Sequence, residues 1–193
     1  MTETDYLIIG AGAVGMAFAD TLLTETDAHL TIVDREAAPG GHWNHAYPFV
    51  ALHQPSMLYG VNSITLGTGA KDTSGHNAGL YELSSGTEVR AYFDQVMRRI
   101  FIRSGRVTYH PLSEYKGNGT FVSLTSGATS KLRVRRKTVD ATYLEASVPA
   151  LQPLGAAAVE ADLLALGKVR RLRAHHGRSE RDSAHPKTGR LFR

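Results

Sequence analysis

The chain has 193 residues, enough for one domain with an appendage. Its 42% apolar and 21% charged content is that of an ordinary globular protein, and the absence of cysteine excludes a disulfide scaffold, a thiolate zinc site and a redox-active dithiol. The net charge of +4 belongs to the end of the chain: from Leu151 onward nine Lys and Arg face four Asp and Glu, so the first 150 residues are close to neutral.

No apolar run approaches the ~20 residues that cross a bilayer. The acidic start Met1–Asp5 lacks the basic and apolar regions of a signal peptide, so a cytoplasmic location without a membrane partner is expected.

Tyr6-Leu7-Ile8-Ile9 is a short apolar run ended by Gly10, the pattern of a buried parallel strand. Val14, Ala17, Phe18 and Leu22 recur at helical spacing and predict a helix over about Ala13–Thr24 with that face buried. Leu30–Val33 predicts a second strand, stopping at Asp34. Strand, helix and strand in so short a span make a right-handed βαβ crossover the default. Pro39-Gly40-Gly41 marks a turn, and residues 42–78, rich in Gly, Ser, Asn and His, predict a long functional loop with short elements. Val89, Tyr92, Phe93, Val96, Met97, Ile100 and Phe101 form one helical stripe, with Thr87 as the expected N-cap and Gly105 as the stop.

Arg106–Tyr109 follows as a third strand. Residues 114–134 read as a polar antiparallel excursion with a strand at Phe121–Leu124, and Thr138–Thr142 returns to the sheet. The fold class expected is α/β, a Rossmann-like domain over residues 1–149 with a parallel sheet and a small antiparallel β excursion. Residues 150–193 form a basic tail, with a helix expected over 156–173 and disorder beyond.

Gly10-Ala11-Gly12-Ala13-Val14-Gly15 is a G-x-G-x-x-G sequence between a strand and a helix, and Asp34 follows 19 residues after its last glycine. In such a unit the first glycine permits the tight turn, the second lets a pyrophosphate approach the backbone, and the third lets helix and strand pack closely. The helix start offers free N–H groups and a partial positive charge to the anion. Asp34 is placed to accept from a ribose diol and to disfavour a 2′-phosphate. FAD and NAD share this fingerprint.

Asp34-Arg35-Glu36-Ala37-Ala38-Pro39-Gly40-Gly41-His42-Trp43 resembles the acidic strand end and Gly-Gly-x-Trp turn of the flavin-containing monooxygenase-like, pyridine nucleotide-disulfide oxidoreductase-like group of FAD-dependent oxidoreductases. The resemblance extends over about residues 5–149. It implies FAD as cofactor, NAD(P)H as reductant and oxygenation of a small substrate. It also implies cofactor contacts at Gly10, Ala11, Gly12, Val14, Gly15, Asp34, Arg35, Gly40, Gly41, His42 and Trp43. Trp43 would close one wall of the flavin pocket. Gln54 would approach the flavin ring edge, the Val107 backbone would meet the adenine, and Ala141-Thr142 would stand in an Ala-Thr-Gly turn whose glycine is replaced here by Tyr143.

Since the flavin carries the chemistry, no catalytic acid or base is assigned. His42, His45 and His53 have no carboxylate at a metal-typical spacing, so no metal site is expected. The arginines and histidines of the tail read as solvated, with no nucleic-acid partner. Substrate and oligomeric state are not legible. The group's second dinucleotide motif and later Gly-Asp turn are missing, so the chain reads as a truncated form. An NAD(P)-linked dehydrogenase or nucleotide-binding module without flavin stays open as an alternative, as does a non-catalytic remnant.

Overall fold

The computed structural model describes residues 2–142, which lie outside the tail for which the helix over 156–173 is expected. Its elements are β1 (Thr2–Ile9), α1 (Ala13–Glu25), β2 (Leu30–Val33), α2 (Gly86–Val96), β3 (Val107–His110), β4 (Ser113–Gly117), β5 (Thr120–Ser123) and β6 (Thr129–Asp140). They form one six-stranded sheet in the order β3-β2-β1-β6-β5-β4. The pairs β1–β2, β2–β3 and β1–β6 are parallel, whereas β4–β5 and β5–β6 are antiparallel. The Rossmann-like α/β expectation holds.

Two features depart from the expected layout. The excursion and the returning strand are one object: β6 pairs with β5 at its start and with β1 over most of its 12 residues. β1 also begins four residues earlier than its apolar run, because Thr2–Thr4 pair with Leu132–Val134 of β6. The register shifts at Asp5, whose carboxylate accepts from the His29 amide at 2.8 Å and pairs with Arg135 at 2.9 Å. The His29 amide is the chief reason its carboxyl stays below the usual range.

The core lies on both faces of the sheet. Ile8, Leu30 and Ile32 pack with α1 and α2 on one face; Leu7, Val33, Phe121 and Leu132 form a smaller cluster on the other. α1 buries a different stripe from the one its spacing suggested. Met16, Ala19 and Leu23 are buried, Phe18 and Leu22 only partly, and Val14 is 69% exposed. The helix is apolar almost all round, so periodicity alone could not choose its face; the contact of Gly15 with the Gly10 carbonyl does.

α2 is capped by Ser85 rather than Thr87. The Ser85 hydroxyl accepts from the Glu88 amide while the Glu88 carboxylate accepts from the Ser85 amide, a reciprocal capping box. The stripe Val89, Tyr92, Phe93 and Val96 is buried as expected, and the helix runs on through a π turn, Met97–Phe101, to Gly105 at φ +71°. Arg106 closes α1 at its other end, donating to the Leu23 carbonyl at 2.6 Å and to that of Thr26. No helix among the described residues is long and apolar enough to cross a membrane.

Candidate functional site

The site forms where β1 and β2 end and α1 begins. Gly10 leaves β1 at φ +98°, a conformation L side chains rarely adopt, and its amide donates to the Val33 carbonyl at 2.8 Å. Gly12 is the N-cap of α1 and offers no side chain to the free amides; the first turn carries no acidic residue. The amino end of α1 is therefore uncapped by side chains, which leaves its N–H groups and partial positive charge for an anion. Gly15 is required by packing: a Cβ there would lie 2.1 Å from the Gly10 carbonyl oxygen.

Asp34 sits at the end of β2, only 7% exposed. One carboxylate oxygen accepts from the Ala11 amide at 2.5 Å and the other from the Glu36 amide at 2.8 Å. Burial pushes its carboxyl up and these two amides oppose that push. The acid thus points at the glycine loop. The Ala11 carbonyl accepts from the Gly40 amide at 2.9 Å, so one residue, through its two flanking peptides, joins the glycine loop to both the acid and the Gly-Gly turn.

That turn rests directly on the loop. Gly40 and Gly41 take φ of +122° and +56°, and a Cβ on Gly41 would lie 3.0 Å from the Gly12 Cα. Glycine at position 41 is thus what lets the turn lie this close to the Gly12 backbone. The turn is held further by Asn44, which donates to the Ala38 carbonyl at 2.9 Å, and by a 2.8 Å pair between His45 and Glu36.

Ala141 and Thr142 join the same place from β6. The Ala141 amide donates to the Ile9 carbonyl at 2.9 Å, and its carbonyl stands against Gly10. Thr142 closes a turn on Asp140, whose carboxylate accepts from the Thr142 hydroxyl and, at 2.9 Å, from the Thr142 amide; the hydroxyl first, and then the amide, hold the Asp140 carboxyl below its usual range.

A cleft of about 260 Å³ opens beside these groups, lined by Gly10, Asp34 and Thr142 together with Arg35, Ser113 and Glu114. Sequence reading missed its β4 wall. No sequence signal marks it, because it depends on Leu112 taking φ +45° in the link from β3 to β4. That bend lets Ser113 donate to the Asp34 carbonyl at 2.8 Å and Leu112 to that of Glu36 at 3.0 Å. Arg35 is exposed at the rim, and Glu114 pairs with Lys116 at 2.6 Å.

Other expected contacts fall elsewhere. Val107 pairs with Leu30 at the amino end of the parallel strands, while the glycine loop lies at their carboxyl ends. The residue of β3 at the site is His110, whose carbonyl accepts from the Asp34 amide at 3.0 Å. Ligands of such sheets bind at the carboxyl edge. Trp43 is a core residue, 6% exposed, with its indole N–H donated to the Tyr59 hydroxyl at 2.7 Å. His42 tilts over it at 5.2 Å between centroids, and burial lowers its pKa. Gln54 is exposed on the loop, and Val14 stands exposed on the first turn of α1.

One buried side-chain atom among the described residues has no hydrogen-bond partner, the Tyr109 hydroxyl. Burial, and then the carboxylates of Asp34, Glu36 and Asp94, hold this phenol above its usual range. No group of His, Asp and Glu that could hold a metal ion occurs among the described residues.

A mostly parallel sheet, a glycine-lined turn into an uncapped helix and an acid at the end of the second strand define a Rossmann-like unit. Residues 8–65 match the family model of the NAD(P)-binding Rossmann-like domain. The uncharacterized protein Rv2000 of Mycobacterium tuberculosis is 54% identical over 151 residues, covering 78% of this chain and 28% of its own. A Mycobacterium bovis protein, Mb2023, matches to the same extent. The chain thus spans under a third of the length of the curated relatives it matches.

Among solved structures, a flavin-containing monooxygenase from Stenotrophomonas maltophilia superposes with a TM-score of 0.50 at 22% identity, over 74% of this chain and 39% of that one. A mutant cyclohexanone monooxygenase from Rhodococcus sp. Phi1, bound to NADP+, gives 0.51 at 18% identity over 81% and 29%. At these identities the likeness is one of fold: the chain has the Rossmann-like fold found in part of these flavin monooxygenases.

Proposed function

We propose that the chain binds FAD as the nucleotide-binding part of a flavin-dependent oxidoreductase of monooxygenase type, with NAD(P)H as reductant. The observation that carries this reading is the uncapped amino end of α1, set between Gly10 and the buried Asp34 carboxylate that already faces the loop. The two amides on Asp34 leave about two of its roughly four lone-pair positions free for ribose hydroxyls. Its negative charge beside the cleft disfavours a 2′-phosphate there, which supports FAD or NAD over NADP at this site. The Gly40-Gly41 turn lying on the glycine loop and the flavin-containing monooxygenase among the fold relatives support FAD over NAD.

Within such a complex the first-turn amides of α1 would meet the diphosphate and Asp34 the adjoining ribose. Gly10, Ala141 and Thr142 would border the same cleft. Bound FAD supplies electron transfer between a nicotinamide and an acceptor. Turnover would draw on protein equivalent to the part of the relatives beyond the matched residues.

A second reading, an NAD(P)-binding module without flavin, is favoured by the description of the matched family model. Thermal melts of the purified chain with FAD, NAD+ or NADP+ separate the two. A ligand held by the native state alone at a hundredfold excess over its Kd adds about 2.7 kcal/mol. For a domain of this size that is a rise in Tm of roughly 5–10 °C. FAD should give it and leave a flavin spectrum on the desalted protein. A rise with NAD+ but none with FAD establishes the second reading, and no rise with any of the three defeats both.

A further inference from the structure

We infer that the Glu36–His45 pair is a pH-operated clasp on the Gly-Gly turn. With His45 protonated, the clasp holds the turn seated on the glycine loop, the arrangement that accepts a dinucleotide; loss of that proton loosens it. The inference rests on the dinucleotide reading above and adds a regulation to that site.

The two residues stand at opposite ends of the turn, Glu36 two residues after Asp34 and His45 directly after the 3₁₀ turn Gly41–Asn44. His45 Nε2 meets the Glu36 carboxylate at 2.8 Å, and each side chain is 33% exposed, so solvent protons reach the pair. Glu36 is anchored through its backbone. Its amide donates to Asp34 at 2.8 Å and its carbonyl accepts from the Leu112 amide at 3.0 Å. His45 is anchored to the 3₁₀ turn, its amide donating to the His42 carbonyl at 3.0 Å. Between these ends lie Gly40 and Gly41, the residue type that gives up most conformational freedom when held in place. The Asn44–Ala38 bond lies inside the turn, and the Gly40–Ala11 bond joins its middle to the loop. Neither contains a titrating group, whereas the clasp does.

Histidine changes charge between about pH 5 and 8. Protonated, His45 gives Glu36 an ion pair and a charge-assisted hydrogen bond; neutral, it leaves a weaker hydrogen bond on the same carboxylate. The charged groups around the pair come from several elements. Glu36 acts on the buried Tyr109 phenol of β3 together with Asp34 at the end of β2 and Asp94 of α2, and Asp94 is itself paired with Arg98 at 2.8 Å. β4 brings Glu114, paired with Lys116 at 2.6 Å, and Arg35 stands at the rim. Burial raises the Asp34 carboxyl and lowers His42 on the turn and His110 of β3. Clasp and ligand act on one turn, so their coupling is reciprocal: protonation tightens binding, and binding draws a proton onto His45. Affinity is full below the His45 midpoint and falls as pH rises through it.

FAD is titrated against the full 193-residue chain between about pH 5 and 8, the window of histidine, while NMR follows the His45 ring. NAD+ replaces FAD if the melts favour it. Affinity should fall about threefold across the window, the scale of a part-exposed ion pair. His45→Gln and Glu36→Gln should each remove that fall and leave whatever Asp34, His42 and His110 contribute. The His45 midpoint should rise when the dinucleotide is added. A parent profile no steeper than those of the two variants overturns the clasp, as does a His45 midpoint that the ligand does not move. If no dinucleotide binds at any pH, the dinucleotide reading fails, and the clasp is judged on the turn itself. Hydrogen exchange at the Gly40 amide, relative to its intrinsic rate, should then be better protected in the acid half of the window in the parent and not in His45→Gln. Equal protection in both overturns it.

Discussion

Replacing Gly15 with alanine should destabilise the protein although alanine is the better helix former. In an open helix the exchange gains about 0.5–1 kcal/mol. Here the added Cβ would lie 2.1 Å from the Gly10 carbonyl oxygen, 3.2 Å from the Gly10 carbonyl carbon and 3.3 Å from the Ala141 Cβ. The first two obstacles are backbone, and Gly10 is itself held by its bond to Val33 at 2.8 Å. The loop has to move by roughly an ångström, and overpacking of this kind costs about 1–3 kcal/mol even after repacking. That corresponds to a fall in Tm of ~3–10 °C. Gly12→Ala is the control: φ there is ordinary at −78° and the nearest atom to a Cβ is the Gly41 Cα at 3.6 Å. It should change stability by less than ~0.5 kcal/mol. Urea midpoints at constant slope give both values. A Gly15→Ala midpoint equal to or above the parent's would refute the packing argument for the third glycine.

Ser85→Ala should cost about 1 kcal/mol and Thr87→Ala less than half of that; urea midpoints in the opposite order would return the cap to Thr87. Asp34→Ala should weaken FAD binding by about 1.5–3 kcal/mol, the scale of a hydrogen bond to a charged group. In an equilibrium titration, a loss of a few tenths or less would mean that Asp34 does not hold the sugar. Glu82 predicts an acid effect on the loop. The amides of Thr68 and Gly69 donate to its carboxylate and lower its pKa below the ordinary 4.5. The folded value is depressed, so this tie is complete at neutral pH and is lost as pH falls through that lower value. Hydrogen exchange at the Thr68 and Gly69 amides should quicken there, beyond the intrinsic rate; unchanged protection well into the acid range would contradict the assignment.

The parts of the fold legible in the sequence were those where one signal dominates. Tyr6–Ile9 and Leu30–Val33 are continuous apolar runs, and the glycine spacing between them admits little besides a turn into a helix. The stripe of α2 could be read because its opposite face is polar. The face of α1 could not, since Val14, Phe18 and Leu22 compete with Met16, Ala19 and Leu23, and the choice lies in the Gly15–Gly10 contact. The cap of α2 was misplaced because Ser85 and Thr87 both have cap chemistry, and Glu88 three residues after Ser85 decides between them. The strand holding Val107 was legible but its register was not: only the pairing with Leu30 reveals which end of β3 faces the glycines. The β4 wall was invisible because it depends on Leu112 taking a conformation its side chain disfavours.

The pieces that the sequence separates are coupled through the Ala11 peptide. Its N–H is held by Asp34 and its carbonyl by Gly40, so the glycine loop, the acid and the turn share one rigid unit. Asp34 is in turn fixed by the Glu36 amide, and Glu36 by its pair with His45 on the far side of the turn. Under the proposed function, a carboxylate constrained in this way would lose little rotamer freedom on meeting a ribose, and such preorganisation would raise affinity without adding a contact. Residues sharing one hydrogen-bond network are not energetically independent. Changes at Asp34 and in the Gly-Gly turn should therefore be non-additive in binding, whereas changes at Asp34 and at distant Ser85 should add. The loop, the acid and the turn thus form one closed ring of backbone and carboxylate, of which the G-x-G-x-x-G sequence is one arc.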